Sequence, residues 1–191
     1  MKRGATKEEI IRTTQDLITR NGIRAVRVDE IAQRLGISKR TLYEMFADKN
    51  DLISACLDDL ARRQRQRIAA SRRRRSGNPL QRTLRLANDY IDSLYTVDHS
   101  FLADIRRKVL FAEQYDEHRE FWRKELSLNL EECRGGGLLL SEIDTAALAE
   151  QLMSTLFELR LNRTTREELY LLCRTILRGA ATQQGIDPVS Y

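Results

Sequence analysis

The stretch Arg27 to Lys49, RVDEIAQRLGISKRTLYEMFADK, limits the possible fold more than any other part of this chain. Val28, Ile31, Ala32 and Leu35 recur with the period of one apolar helix face. Gly36 follows where a left-handed residue ends a helix at little steric cost, and Ser38 can accept from the free N–H groups at the start of a second helix. Ile37, Leu42, Met45 and Phe46 supply that second helix with a buried side, which leaves Lys39, Arg40, Thr41, Tyr43 and Glu44 facing elsewhere. Two short helices around a tight turn, the second presenting basic, hydroxyl and aromatic groups near its N-terminus, describe a DNA-reading helix-turn-helix.

The run Gly36-Ile37-Ser38-Lys39-Arg40-Thr41-Leu42-Tyr43 with Phe46 and Lys49, preceded by Val28-Asp29-Glu30-Ile31-Ala32, resembles the tetracycline-repressor (TetR) family of bacterial transcription regulators. The likeness extends over about Thr6 to Leu60. It implies an all-α fold: an N-terminal three-helix helix-turn-helix DNA-binding domain and a C-terminal helical ligand-binding and dimerisation domain, about nine helices in total. Two positions depart from the family pattern. Arg27 stands where a capping Thr or Ser is common, and Arg40 where a small residue is common. Both add positive charge near the expected DNA surface.

The chemistry of the side chains separates their roles. Lys39 and Arg40 can donate to the guanine major-groove edge or to phosphate, and Tyr43, one turn on, can reach phosphate or stack on a thymine methyl. Ser38 and Thr41 are short donors suited to backbone phosphates, Arg27 is a further phosphate candidate, and Lys49 is expected to hold a phosphate together with the N-terminus of the next helix. Glu44 is repelled by phosphate unless it accepts from a cytosine amino group. An N-terminal arm with Lys2 and Arg3 is a further backbone contact that the resemblance implies.

Charge is distributed to match. Residues 1–49 hold 11 Lys and Arg against 7 Asp and Glu, a balance of +4, whereas residues 132–191 hold 6 against 8, a balance of −2. Cations near phosphates release condensed counterions, so the N-terminal part is the one suited to nucleic acid. Cys56, Cys133 and Cys173 lie far apart without CxxC spacing, which argues against a disulfide framework or zinc site, and His99 and His118 are not spaced as metal ligands. No apolar run approaches the roughly 18 residues of a membrane span, so no membrane contact and a cytoplasmic location are expected.

In chain order, a first helix with Ile10, Ile11, Thr14, Leu17 and Ile18 on its core face ends at Asn21-Gly22, and a long helix from about Asp48 buries Leu52, Ile53, Cys56, Leu57 and Leu60. Residues 62–75 then carry eight arginines and no acid: Arg62, Arg63, Arg65, Arg67 and Arg72 to Arg75. This run reads as a solvated hinge segment or as a second nucleic-acid patch. Ser76-Gly77-Asn78-Pro79 breaks the helix. The expected organisation is a DNA-binding domain at 1–49, a connecting helix and Arg-rich hinge at 50–78, and an effector-binding and dimerisation domain at 79–191.

By resemblance, the later helices wall a pocket for an unknown, largely apolar small molecule, with Tyr90, Leu94, Phe101, Phe111, Trp122 and Phe157 as lining candidates. Aromatic residues at helical spacing are equally what a plain core requires. Gly135 to Gly137 form a loop rather than a phosphate cradle, since no strand precedes them and no GK[ST] follows. The last two helices, about Glu142 to Leu161 and Thr165 to Gln183, are apolar on more than one side, and a helix apolar on two sides needs two neighbours. Leu148, Leu152, Leu156, Leu159, Leu169, Cys173, Ile176, Leu177 and Ala180 are the candidates for a homodimer interface. The twofold symmetry would set two recognition helices on a palindromic double-stranded operator.

A ligand-released repressor is the reading these features favour. The alternatives are a nonspecific or architectural DNA-binding protein, suggested by the arginine run, and a ligand-independent regulator. No catalytic constellation, metal site or cofactor motif is evident, so an enzyme is not expected.

Overall fold

The computed structural model describes residues 5–73, 77–107 and 111–186, with the backbone alone described at Arg72, Arg73 and Ile186. Lys2, Arg3, Arg74, Arg75 and Ser76 lie outside the described residues. Within them the chain forms ten helices and no strand: α1 (Lys7–Asn21), α2 (Val28–Leu35), α3 (Lys39–Tyr43), α4 (Lys49–Arg73), α5 (Pro79–Tyr95), α6 (His99–Arg106), α7 (Ala112–Gly135), α8 (Thr145–Leu161), α9 (Arg166–Gly179) and the short α10 (Gln183–Ile186).

Local chemistry explains most boundaries. Thr6, Asn78 and Thr165 each close a capping box, with Glu9, Gln81 and Glu168 as the reciprocal partners, and Asp98 and Asp144 cap α6 and α8. Pro79 opens α5, where its missing N–H costs nothing. Gly22 ends α1 at φ 84° and Gly36 ends α2 at φ 64°, conformations that glycine reaches without a Cβ clash.

Two compact units result, and neither is continuous in sequence. The first comprises Met1–Arg67 and Val97–Tyr115; the second comprises Ile68–Thr96 and Asp116–Tyr191. The core of the first gathers Ile10, Leu17, Ile18, Ile31, Leu42, Phe46, Leu52, Ile53 and Cys56 with Ile105 of α6, and Phe101, Phe111 and Tyr115 pack against it. Asp98 N–H donates to the Thr19 carbonyl at 2.6 Å, and the Asp104 carboxylate accepts the Arg24 N–H at 3.1 Å. The segment 97–115 therefore docks on the helix-turn-helix unit, although it lies within the 79–191 span that sequence reading assigns to a separate domain. An amphipathic face shows that a helix needs a partner without showing which one.

In the second unit α5 packs against α9 and α8, and α8 against α9. Its core holds Leu80, Ala87, Tyr90, Ile91, Leu94, Trp122, Leu126, Leu130, Cys133, Leu152, Met153, Leu156, Leu169 and Cys173. Tyr95 Oη donates to the Thr164 carbonyl at 2.5 Å, and Tyr170 Oη to the Asp92 carboxylate. The turn after α7 is tied to the end of α9 by a single antiparallel bridge between Leu139 and Ala181.

Candidate nucleic-acid interface

The helix-turn-helix is built as its sequence period requires. Ile31 and Ala32 of α2 and Leu42 of α3 are buried, and Phe46 lies beneath them with the Lys7 ammonium 4.9 Å from its ring centre. Between the helices, Gly36 and Ile37 direct their N–H groups back to the carbonyls of Gln33 and Ala32, and Ser38 Oγ accepts the Thr41 N–H at 3.0 Å. With Leu42 turned inward, Ser38, Lys39, Arg40 and Tyr43 are exposed and Thr41 half-buried, so the expected DNA face is one continuous outward side of a five-residue helix. Tyr43 is 46% exposed, a large fraction for an aromatic ring, and no core function accounts for it.

The hydroxyls of Ser38 and Thr41 lie 2.9 Å apart. One hydroxyl proton fills that bond, and the other is not used in it. Arg27 is exposed at the N-cap of α2 and makes no side-chain capping bond, which leaves the helix start without the oxygen a Thr or Ser would supply. Lys49 begins α4 and is half-buried. Around it, Asp48 Oδ1 accepts the Asp51 N–H at 2.8 Å and Asp51 Oδ2 accepts the Ala47 N–H at 2.9 Å. Two carboxylates thus already satisfy donors at this helix start, and a phosphate arriving beside Lys49 meets them as well.

Each basic group of the recognition helix carries an acidic partner. Lys39 Nζ lies 2.5 Å from Asp29 Oδ1, and Arg40 Nε donates to Glu44 Oε1 at 3.1 Å. The i,i+4 spacing of Arg40 and Glu44 signals the second pair in the sequence, whereas the first joins two helices and needs the fold.

The arginine run is partly neutralised where it begins. Arg62 and Arg63 both pair with Asp59, Arg63 at 2.6 Å, and Arg62, Arg63, Arg65 and Arg67 are all exposed. Burial works to raise the Asp59 carboxyl, but the hydrogen bond from Gln15 and the two guanidinium groups outweigh it and hold the group below its ordinary value.

The remaining candidates divide between the units. Tyr90, Leu94, Trp122 and Phe157 are buried in the second, where the Tyr90 and Trp122 rings meet edge to face at 5.2 Å and Trp122 Nε1 donates to His118 Nε2 at 3.2 Å. Phe101 and Phe111 pack on the core of the first unit. Of the dimer candidates, Leu152, Leu156, Leu169, Cys173, Leu177 and Ala180 are buried within the protomer and Leu148, Leu159 and Ile176 half-buried. Periodicity reports that a position is buried, and a stripe burying itself against its own chain looks identical to one awaiting a second chain. On α8 the outward positions include Ala146, Ala147, Gln151 and Thr155, and on α9 Leu171, which is 65% exposed, stands outward among charged residues such as Glu167, Glu168, Arg174 and Arg178.

Among the described residues no group of three or more His, Cys, Asp or Glu is placed to hold a metal ion, and no helix is long and apolar enough to cross a membrane. The three cysteines are free and buried. Burial pushes the Cys56 and Cys173 thiols up to about 12 and raises Cys133 as well.

An all-helical chain that presents a short cationic helix over a tight turn has the build of a helix-turn-helix regulator. Residues 10–56 match the bacterial regulatory proteins, tetR family. Two HTH-type transcriptional regulators of Mycobacterium tuberculosis are 43% identical to the chain over 51 residues, 27% of this chain and 21% of each relative, so the match spans about a fifth of their length. Solved structures share the fold over most of the chain. A transcriptional regulator from Saccharomonospora viridis in complex with choline superposes with a TM-score of 0.79 at 18% identity, covering 92% of this chain and 96% of that one. A TetR transcription regulator from Haloarcula marismortui gives 0.78 at 19%, covering 92% and 98%. A gamma-butyrolactone receptor gives 0.71 at 23%, covering 92% and 87%.

Proposed function

We propose that this chain is a transcription repressor that reads a palindromic DNA operator as a homodimer and is released by a small, largely apolar effector. The observation that carries the reading is the outward side of α3: Lys39, Arg40 and Tyr43 are exposed together on a helix that Leu42 and Phe46 anchor from beneath. Phosphate contacts from Ser38, Thr41, Arg27 and Lys49 would fix register, and Lys39 and Arg40 would read base edges. The second subunit would meet α8 and α9 on their outward sides, where Leu171 is left uncovered in the protomer. An effector that binds the off-operator arrangement better than the operator-bound one would lower operator affinity by that difference.

The effector would contact the second unit at Tyr90, Leu94, Trp122 or Phe157. Relatives of this fold include one structure holding choline and one gamma-butyrolactone receptor, which makes small organic molecules of that size the first to test. On this reading the protein acts in the cytoplasm and needs no cofactor.

The test is enrichment of a random-sequence duplex library by the full chain, followed by footprinting on its own promoter. A palindromic consensus is the expected result. Lys39→Ala and Tyr43→Ala should each weaken binding to that consensus at least about tenfold, the cost of about one good contact, with unchanged hydrodynamic size. Retained binding in both variants overturns the placement of the recognition helix. Equal affinity for consensus and scrambled duplex with a steep salt slope would favour an architectural binder, a reading that the exposed Arg65 and Arg67 keep open.

A further inference from the structure

The Glu44 carboxylate stands on the surface proposed to meet DNA, where a negative charge weakens binding to any duplex. Its side chain is 58% exposed, it lies next to Tyr43 at the C-terminal end of α3, and its contact is with Arg40. Exposed ion pairs of this kind contribute little to folding, so the pair is poorly explained as a stabilising feature. Its geometry suits another role. Glu44 Oε1 takes the N–H of Arg40 Nε, the one guanidinium nitrogen inside the chain, and leaves both terminal nitrogens free at the tip of a side chain that is 89% exposed. Those terminal N–H groups form the fork that fits guanine O6 and N7.

We infer that Glu44 is a specificity-determining residue that orients Arg40 and penalises wrong sequences. On a matching site Arg40 keeps its Nε bond to Glu44 while its fork engages the base edge, and the carboxylate faces the amino groups that cytosine or adenine offers in the major groove. On any other site the same carboxylate faces acceptor edges and phosphates with nothing to receive. The penalty then falls on nonmatching DNA, and the ratio of the two affinities widens. Asp29 differs in kind. It stands in the first turn of α2, outside the recognition helix, and its partner is the Lys39 ammonium, which has no fork to orient.

This inference rests on α3 being the reading element, and its test separates the two. The full chain and its E44Q, E44D and D29N variants are titrated against the duplex that the unsubstituted chain enriches and against a scrambled duplex of equal length and composition. E44Q should bind the scrambled duplex more tightly, by up to about fivefold at low salt, the size of one like-charge contact in water, and by less as salt screens it. It should bind the enriched duplex more weakly, with relaxed base preference at one position. E44D keeps the charge but is too short to hold Arg40 Nε, so it should lose preference at that position without tighter scrambled binding. D29N removes a negative charge without touching the Arg40–Glu44 pair, so it should tighten scrambled binding and leave the base preference at the Arg40 position unchanged. A common factor on both duplexes for E44Q, or no change on either, overturns the inference while leaving the reading helix intact. Failure of the unsubstituted chain to enrich any sequence overturns both.

Discussion

Gln15 of α1 donates its side-chain N–H to Asp59 of α4 at 2.9 Å, and donates also to the Cys56 carbonyl at 2.9 Å. Gln15 is 4% exposed, so this amide is a buried polar group made tolerable by two acceptors. It fastens the first helix to the helix that enters the arginine run. Replacing it by leucine removes one donor from each acceptor, leaving Asp59 to Arg62 and Arg63 alone, and Gln15→Leu should lower unfolding free energy by about 1–3 kcal/mol. Chemical denaturation measures this directly.

The same contact sets an acid limb. Burial raises the Asp59 carboxyl, but Gln15, Arg62 and Arg63 together depress it below its ordinary value. A group whose folded pKa is depressed contributes stability that is present above the unfolded pKa, near 3.9, and lost as pH falls through the folded pKa. Asp59→Asn should therefore destabilise the chain at neutral pH by about 1–2 kcal/mol and show a shallower loss of stability below about pH 4. A parallel acid limb in the two proteins would refute this role.

Gly22 and Gly36 both adopt positive φ, yet the surroundings separate them. A Cβ at Gly22 would lie 2.9 Å from Asp104 Oδ2 and 3.0 Å from Ser100 Cβ, pressing on α6, whereas nothing lies within 4 Å of one at Gly36. Gly36→Ala should cost about 1–2 kcal/mol from backbone strain alone. Gly22→Ala should cost clearly more, because α6 must shift as well, and its melting temperature should be the lower of the two. Equal melting temperatures would show that α6 yields without cost.

Thiol chemistry offers a check on the packing of both units. Cys56 and Cys173, with pKa values pushed to about 12, and Cys133, also raised, hold negligible thiolate near neutrality. Iodoacetamide at pH 8 should label all three only after denaturation. Rapid labelling of one in the native protein would locate an opening of that unit.

What the sequence conveyed follows from which forces are local. Caps and breaks at Asn21-Gly22, Gly36, Ser38 and Asn78-Pro79 depend on near neighbours in the chain, and each lies at the expected boundary. The outward set on α3 follows from the inward set by period alone. The docking of α6 on the first unit, the Lys39–Asp29 pair and the protomer burial of Leu152, Leu156 and Cys173 depend on partners far away in sequence. None of these leaves a mark in periodicity. Phe101 and Phe111 illustrate the point: their aromatic character was legible, but not that the first unit would receive them.

Arg27 is the position where stability and binding pull apart, and that opposition makes it testable. As the N-cap of α2 it adopts the extended backbone of a cap, φ −114° and ψ 131°, without supplying an oxygen to the N–H groups that follow. Asp29 and Glu30 in the first turn offset the helix dipole but do not replace that bond. Arg27→Thr should restore a cap and stabilise the chain by about 0.5–2 kcal/mol, a rise of roughly 2–4 °C in melting temperature per kcal/mol for a chain of this size. If the guanidinium meets a phosphate, the same variant should bind every duplex more weakly and lose about 0.9 from the salt slope. A more stable protein that binds DNA less well and with a flatter salt dependence is the expected result. Higher stability with unchanged binding at every salt concentration would make Arg27 a surface residue that happens to occupy a cap.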